Sequence, residues 1–355
     1  MKEHGFTKRL MQWHKTLNKR QMPWKGENDP YKIWLSEIIL QQTRVEQGLG
    51  YYERFIEKYP TVQLLAKAKD EDVFKLWEGL GYYNRCKNLL FTARLITEKY
   101  KGKFPETFDE ILELKGIGNY TAAAIASFAY NLPYAVLDGN VFRVLSRVFA
   151  VNMPIDSTEG KKYFSALAND MLDKKDSALY NQAIMDFGAT VCKPVNPACC
   201  DCVMNKICKA YKNGMVNELP VKEKTLQRKT RWFYYFIFLF EERVLAHQRI
   251  QKDIWQNLFE FYLVENESQI LWNVQTIKTF LNNQLGIKKY ELQNISALQK
   301  QELTHRQIKG QFIQIKLSSI PENLSHHQWI SLKDLSALAF PKFINEYLQK
   351  LQFSK

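Results

Sequence analysis

Apolar and polar positions follow two rhythms along this chain. Up to about residue 215 the spacing is helical. Phe6 to Leu17 reads as an amphipathic helix. Asp29-Pro30 reads as a helix start, with proline at the first helical position. The run YKIWLSEIILQQTRVEQ follows, with Ile33, Trp34, Ile38 and Val45 on helical spacing. Asp70 to Tyr100 predicts two helices around the glycine-rich turn Gly79-Leu80-Gly81-Tyr82-Tyr83-Asn84-Arg85. Ala122 to Ala129 predicts a small-residue helix that packs closely on its neighbours, and Ser165 to Val191 supplies more helix. Lys209 to Thr230 is polar, lysine-rich and without period, which predicts a linker. From Trp232 the pattern changes to strands: FYYFIFLF, a Glu-Glu turn, then VLAHQR. Phe259–Val264 and Phe312–Leu317 read as later strands and Lys278–Leu285 as helix.

The chemistry concentrates where the helical pattern is interrupted. Leu114 to Val144 opens with Leu-Lys-Gly-Ile-Gly, a two-glycine turn whose backbone can come close to another molecule. Amides at Gly116 and Gly118, at the start of a helix, suit a phosphate oxygen, although such a turn alone also serves as an ordinary helix–helix connection. Asp138 follows the apolar run Ala135-Val136-Leu137 and precedes Gly139-Asn140, and the turn amides near it are expected to lower its pKa. Glu37 lies inside another apolar run, where desolvation makes a carboxyl hold its proton more tightly. The amides of Gln41 and Gln42, with Thr43, can bond base edges. Tyr82, beside arginine in a glycine-rich turn, can present a ring for stacking on a base.

Composition narrows the partners. The net charge is +13 and the pI about 9.2, which favours an anionic partner. Residues 1–220 carry 31 Lys+Arg against 25 Asp+Glu, and residues 221–355 carry 19 against 12, so both halves can face it. No apolar run reaches the ~20 residues that span a bilayer, and MKEHGFTKRL lacks the apolar core of a signal peptide. These features predict a cytoplasmic protein without a membrane partner. Five of six cysteines fall within Cys192–Cys208, a spacing for metal ligation in a reducing compartment rather than a disulfide framework. Cys192, Cys199, Cys202 and Cys208 satisfy a tetrahedral metal or a cubane cluster. Spacing alone leaves zinc open, and leaves open a register that uses Cys200.

These blocks carry a resemblance. LKGIG followed by Asp138 resembles the helix-hairpin-helix-Gly/Pro-Asp motif of the endonuclease III superfamily of DNA glycosylases. SEIILQQTRVE and GLGYY are similar to signatures of its MutY-type branch, the adenine DNA glycosylases. The resemblance implies a mainly α, helix-hairpin-helix catalytic region with an iron–sulfur loop, followed by an α+β Nudix-like domain. The implied boundaries are 1–215 for the helical region, with a six-helix module at about 28–133 and a cluster module from 1–27 and 134–215. A linker at 216–230 and a Nudix-like recognition domain at 231–355 complete the chain. Glu37 is implied to protonate a departing adenine and Asp138 to stabilise the oxocarbenium ion. Asn140 would orient Asp138 or a water. Gln41, Gln42 and Thr43 would wedge into the duplex, Tyr82 would intercalate beside the damaged guanine, and Gln182 and Arg20 would contact DNA or base. The Cys192-x6-Cys199-x2-Cys202-x5-Cys208 spacing matches the family's [4Fe–4S] loop.

Two departures matter. Bifunctional endonuclease III enzymes hold a Schiff-base lysine where this chain has Tyr120, which has no amine. The resemblance therefore points to base removal without lyase activity. The family's Phe-Ser-His turn for 8-oxoguanine is matched by Leu303-Thr304-His305, so the role falls on Thr304 and His305. From Ser268 to Tyr290 there is no Asp or Glu to hold the Mg²⁺ of a Nudix hydrolase. The expected activity is excision of adenine opposite 8-oxoguanine or guanine in double-stranded DNA, by a monomer. The competing readings are an endonuclease III-type pyrimidine glycosylase with lyase activity and a non-catalytic iron–sulfur DNA-binding protein.

Overall fold

A computed structural model describes residues 5–223 and 228–350. In chain order its first helices are α1 (Phe6–Thr16), α2 (Pro30–Leu40), α3 (Val45–Lys58), α4 (Val62–Lys67), α5 (Asp70–Trp77) and α6 (Asn84–Lys99). Next come α7 (Phe108–Glu113), α8 (Asn119–Tyr130), α9 (Gly139–Phe149), α10 (Thr158–Met171), α11 (Ser177–Thr190) and α12 (Lys209–Lys212). The strands are β1 (Lys229–Phe240), β2 (Arg243–Leu245), β3 (His247–Gln248), β4 (Phe259–Glu260) and β5 (Tyr262–Asn266). After α13 (Val274–Leu285) follow β6 (Tyr290–Ile295), β7 (Gln299–Glu302), β8 (Arg306–Leu317), β9 (Trp329–Ser331) and α14 (Lys342–Leu348). Residues 5–67 with 87–223 make one compact unit, and residues 68–86 with 228–350 make a second.

The helical unit shows why its site can be dry. Asp29 caps α2 by accepting the Tyr31 amide at 2.9 Å, with Pro30 at the first position. Tyr31, Ile33, Trp34, Leu35, Ser36, Glu37, Ile38 and Ile39 are all buried, so α2 is enclosed on nearly every side rather than amphipathic. It packs against α8, whose Thr121–Ser127 run is also buried. Small side chains let the two helices approach closely. A second core joins Phe6, Leu10 and Trp13 of α1 to Val141, Val144 and Leu145 of α9, Phe164 of α10 and Tyr180, Ile184 and Phe187 of α11. The hairpin between α7 and α8 turns through Gly116 at φ +83, the left-handed region where glycine is favoured. A Cβ there would also meet the Asn88 side chain at 2.8 Å.

The second unit is built on a mixed seven-stranded sheet ordered β6-β8-β1-β2-β9, with β5 pairing β1 and β7 pairing β8. β1 and β8 run parallel, with Phe233 opposite Gly310. A Cβ on Gly310 would clash with the Phe233 backbone. α13 covers one face of this sheet through Ile277, Leu281 and Leu285. Its sequence, VQTIKTFLNNQL, carries no acid. Among the described residues no helix is long and apolar enough to cross a membrane.

The helix expected from Ser165 to Val191 is carried by α10 and α11, separated by the Asp173–Asp176 turn. One expectation changes. The linker expected at 216–230 is packed over its first part. Leu219 is buried with Cys208 and Ala210, and the Ile155 amide donates to the Val221 carbonyl at 3.0 Å. Its few apolar residues decide this against a lysine-rich background. Residues 224–227 of that segment lie outside the described residues.

Candidate active site

Within the helical unit a cavity of about 980 Å³ opens between α2, the start of α8, the start of α9 and α11. That volume lies within the ~300–1,000 Å³ of small-molecule sites. Glu37, Tyr120, Asp138 and Asn140 line it together, although they come from three helices. Gln41, Gln42 and Thr43 line it from the turn that ends α2. Gln182 lines it from α11 and Arg20 from the segment between α1 and α2. Gln42 is exposed and held at φ +55, so the turn presents it outward.

Glu37 is 8% exposed. Burial pushes its carboxyl up to about 7, a donated bond from the Tyr120 hydroxyl opposes this, and the nearby Asp138 charge adds to it. Burial and the same two carboxylates push the Tyr120 hydroxyl well above its ordinary value. Tyr120 therefore stays a proton donor to Glu37 across the physiological range.

Asp138 caps α9. Its Oδ1 accepts the Val141 amide at 2.7 Å and its Oδ2 accepts Asn140 Nδ2 at 2.8 Å. Asn140 is held in turn by Arg143, whose Nη2 donates to Asn140 Oδ1 at 2.8 Å and to the Gly188 carbonyl at 2.7 Å. The amides at Asp138 were expected to lower its pKa. The structure corrects this: burial raises it above the ordinary value, outweighing the Val141 and Asn140 donors and the Arg143 charge. The two carboxyls still differ in kind. Asp138 is surrounded by donors and a cation, which favour its anion, whereas Glu37 has one hydroxyl in an apolar helix. A pocket that holds one proton-bearing and one anion-stabilised carboxyl can donate a proton on one side of a ligand and oppose positive charge on the other.

Four expected residues lie elsewhere in the helical unit or in the second unit. Gly118 begins α8 with open space where a Cβ would sit, so the hairpin backbone is accessible. In the second unit, Tyr82, at φ +50 and 43% exposed, reaches the hydroxyl of Thr304 across 222 residues of sequence. Arg85 lies 5.3 Å over the Tyr82 ring. Thr304 and the exposed His305 occupy the turn between β7 and β8, where the Lys229 amide donates to the His305 carbonyl at 3.3 Å.

The cysteine loop forms a separate small pocket. Cys192, Cys199, Cys202 and Cys208 line it with Val148, Phe187, Val191, Met204 and Arg147. Cys200 is exposed and does not line that pocket, although its sulfur lies 3.5 Å from the hydroxyl of Tyr211, which does. Arg147 Nη1 approaches Cys192 Sγ at 3.6 Å, and the Met204 amide donates to Cys202 Sγ at 3.4 Å. Among the described residues, no three His, Cys, Asp or Glu side chains stand close enough together to hold a metal ion. The donor set nevertheless fits a closed all-thiolate group: four sulfurs, apolar walls, and N–H donors that favour thiolate.

Asp186 escaped the sequence reading. It sits one turn beyond Gln182 on α11, is fully buried, and pairs with Arg20 at 2.9 Å and Lys25 at 3.3 Å. Its signal was only an acid in the apolar run Ala-Ile-Met-Asp-Phe. Trp24, Lys25 and His14 also line the cavity without having been assigned there.

The molecule matches known families along its length. Residues 35–168 match the HhH-GPD superfamily of base excision DNA repair proteins, and residues 234–350 match the NUDIX domain. The chain is 31% identical over 355 residues to an adenine DNA glycosylase of Buchnera aphidicola subsp. Baizongia pistaciae, covering 98% of this chain and 97% of that protein. It is 39% identical over 215 residues to the adenine DNA glycosylase of Homo sapiens, covering 58% of this chain and 39% of that one. Among solved structures, a thermostable thymine-DNA glycosylase superposes with a TM-score of 0.54 at 30% identity, over 59% of this chain and 95% of that one. A non-covalent endonuclease III–DNA complex superposes at 0.50 and 22% identity, over 58% and 94%, which shows the shared fold.

Proposed function

This chain belongs to the adenine DNA glycosylases, and from that premise we propose that it excises adenine paired with 8-oxoguanine or guanine, with Glu37 as general acid and Asp138 as the anion beneath the sugar. It is a base-excision-repair enzyme that binds DNA and hydrolyses an N-glycosyl bond without a lyase step. The observation that carries the proposed roles is the pairing of Glu37 and Asp138 in one cavity, the first with its pKa near neutral and the second among donors.

The chemistry requires both. Adenine leaves poorly as an anion, so Glu37 donates its proton to a ring nitrogen as the bond to the sugar breaks. The sugar becomes an oxocarbenium-like cation, which the Asp138 carboxylate stabilises. A water then adds to the sugar carbon and gives up a proton to a carboxylate of the pair, with Asn140 orienting Asp138 or the water. General acid catalysis supplies roughly 10²–10⁴-fold. A carboxylate about 4 Å from a unit positive charge supplies roughly 4 kcal/mol at an effective dielectric of 20. Either alone falls short of the ~8 kcal/mol at which enzymatic accelerations begin. The base must leave the stack to reach the cavity, and exposed Gln42 would fill the gap.

The decisive experiment compares adenine release from matched duplexes with A opposite 8-oxoguanine, G or T. Release from the first two without a borohydride-trapped enzyme–DNA adduct is expected, since Tyr120 has no amine. No release from A opposite 8-oxoguanine sinks the reading. The pH profile follows from Glu37: the acid must be protonated, so the single-turnover rate falls as pH rises through about 7. A rate that stays flat from pH 6 to 9 would remove Glu37 from that role.

Recognition of the opposite base falls to Tyr82, Thr304 and His305, supported by the contact between the first two. Thr304→Val is expected to cut the preference for 8-oxoguanine over guanine by several-fold, roughly one hydrogen bond of about 1 kcal/mol, while excision opposite guanine is kept. Equal loss on both duplexes would count against it.

The four cysteines Cys192, Cys199, Cys202 and Cys208 would hold a [4Fe–4S] cluster, which would brace the loop carrying Lys193 and Asn196. Purified protein is expected to contain iron and sulfide and to absorb in the visible, and Cys200→Ser should leave both unchanged. Stoichiometric zinc instead would overturn the cluster. The reading extends to a monomer in the cytoplasm of a bacterial-type cell, supported by the bacterial relatives.

A further inference from the structure

The acid beneath the cavity, Asp186, has no part in the mechanism above. Its Oδ1 accepts Arg20 Nη1 at 2.9 Å, and its Oδ2 accepts Asn18 Nδ2 at 2.8 Å. Lys25 Nζ stands 3.3 Å from Oδ2 and also donates to the Arg20 carbonyl at 2.9 Å. Asn18 Nδ2 lies 3.0 Å from His14 Nδ1 as well. Asp186 is 0% exposed, whereas Arg20 and Lys25 are 24% and 21% exposed and line the same cavity as Glu37. A fully buried carboxylate is weak evidence for stability, because an apolar side chain of similar volume often does as well. What it provides is geometry: two long, otherwise mobile cationic side chains are pulled to one point on the cavity wall.

We propose that Asp186 is a positioning residue for adenine excision, fixing Arg20 and Lys25 as a pair of donors toward the acceptor nitrogens of the extruded purine. It also cancels one of their two positive charges. That matters because the base must itself become protonated, and two uncompensated cations beside it would oppose that step. The inference rests on the adenine-excision reading of this cavity. Asn18 also holds Oδ2, the oxygen that faces Lys25, which resists rotation of the carboxylate away from the cations.

The test uses the full chain in single turnover on a duplex with A opposite 8-oxoguanine, with binding measured separately on a duplex carrying the uncleavable 2′-fluoro analogue of deoxyadenosine. Misplacing binding groups by about 1 Å costs on the order of 10²-fold. Asp186→Asn is therefore expected to slow excision at least about tenfold with the duplex Kd within about threefold, and Asp186→Glu to recover part of the rate. The penalty that wild type shows on 1-deaza- or 3-deaza-adenine should shrink in Asp186→Asn, because the lost contact is the same one. If Asp186→Asn does not fold, Asn18→Ala gives the same split at smaller size. An excision rate within twofold of wild type overturns the inference. So does a loss that Glu does not rescue and that follows the folded fraction. Failure of the wild-type chain to release adenine would instead remove the adenine-excision reading on which it rests.

Discussion

Glu37→Gln is expected to slow adenine release by about 10³-fold or more while the affinity for an uncleavable duplex stays within about threefold. Gln has nearly the shape of Glu but no acidic proton, and general acid catalysis is worth roughly 10²–10⁴-fold. The upper part of that range applies because adenine is a poor leaving group and Tyr120 is itself too weak an acid to substitute, its hydroxyl being pushed well above its ordinary value. A Gln variant within about tenfold of wild type would assign the acid elsewhere. The same substitution should stabilise the protein at alkaline pH. The Glu37 pKa rises from 4.5 to about 7 on folding, so between those values the native state binds more protons than the unfolded one. Stability therefore falls as pH rises through that window, by about 3 kcal/mol in full. Gln cannot ionise, so in urea unfolding its advantage over wild type should be about 2–3 kcal/mol larger at pH 8 than at pH 4. An advantage that does not change with pH would mean that Glu37 is not strained as an anion. Loss of activity with gain of stability from one atom change marks a group kept for chemistry rather than for folding.

Asp138→Asn is expected to cost about 10³-fold in the excision step. The removed charge is worth roughly 4 kcal/mol against a nearby unit cation at an effective dielectric of 20, and each 1.36 kcal/mol is tenfold. Asparagine is as good a helix cap as aspartate, so its carbonyl can still accept the Val141 amide and α9 should keep its start. The variant thus isolates the charge from the fold. Because burial raises the Asp138 pKa, wild type should also lose activity on acidification earlier than an exposed aspartate would dictate, giving a bell-shaped profile with the Glu37 limb above it. Asp138→Asn should lack the acidic limb and keep the alkaline one. Retention of both limbs, or a melting temperature that falls in step with the rate, would mean that the residue acts through helix capping alone.

Much of this protein could be read from local pattern. The start of α2 is legible because Asp29-Pro30 satisfies an orphan amide within three residues. The hairpin before α8 is legible because only glycine suits φ +83 at Gly116. An elevated Glu37 pKa follows from its apolar neighbours on one helix, and the four-thiol pocket from spacing within one loop. Such signals arise from residues a few positions apart, whose relation the backbone geometry already dictates. The strands β6, β7 and β9 were not legible, since each is short or polar and owes its form to pairing with β8 or β2.

What only the tertiary structure decided is where remote groups meet and how much water they lose. The direction of the Asp138 shift depends on packing around α9, which outweighs the adjacent donors that the sequence displays. Asp186 acquires Arg20 and Lys25 from a segment about 160 residues away, and Tyr82 finds Thr304 across 222. The stretch 68–86 belongs with the second unit although most of the helical chain surrounds it in sequence. Periodicity and spacing record which face of an element is apolar; desolvation and ion pairing are set by what the rest of the chain places against that face.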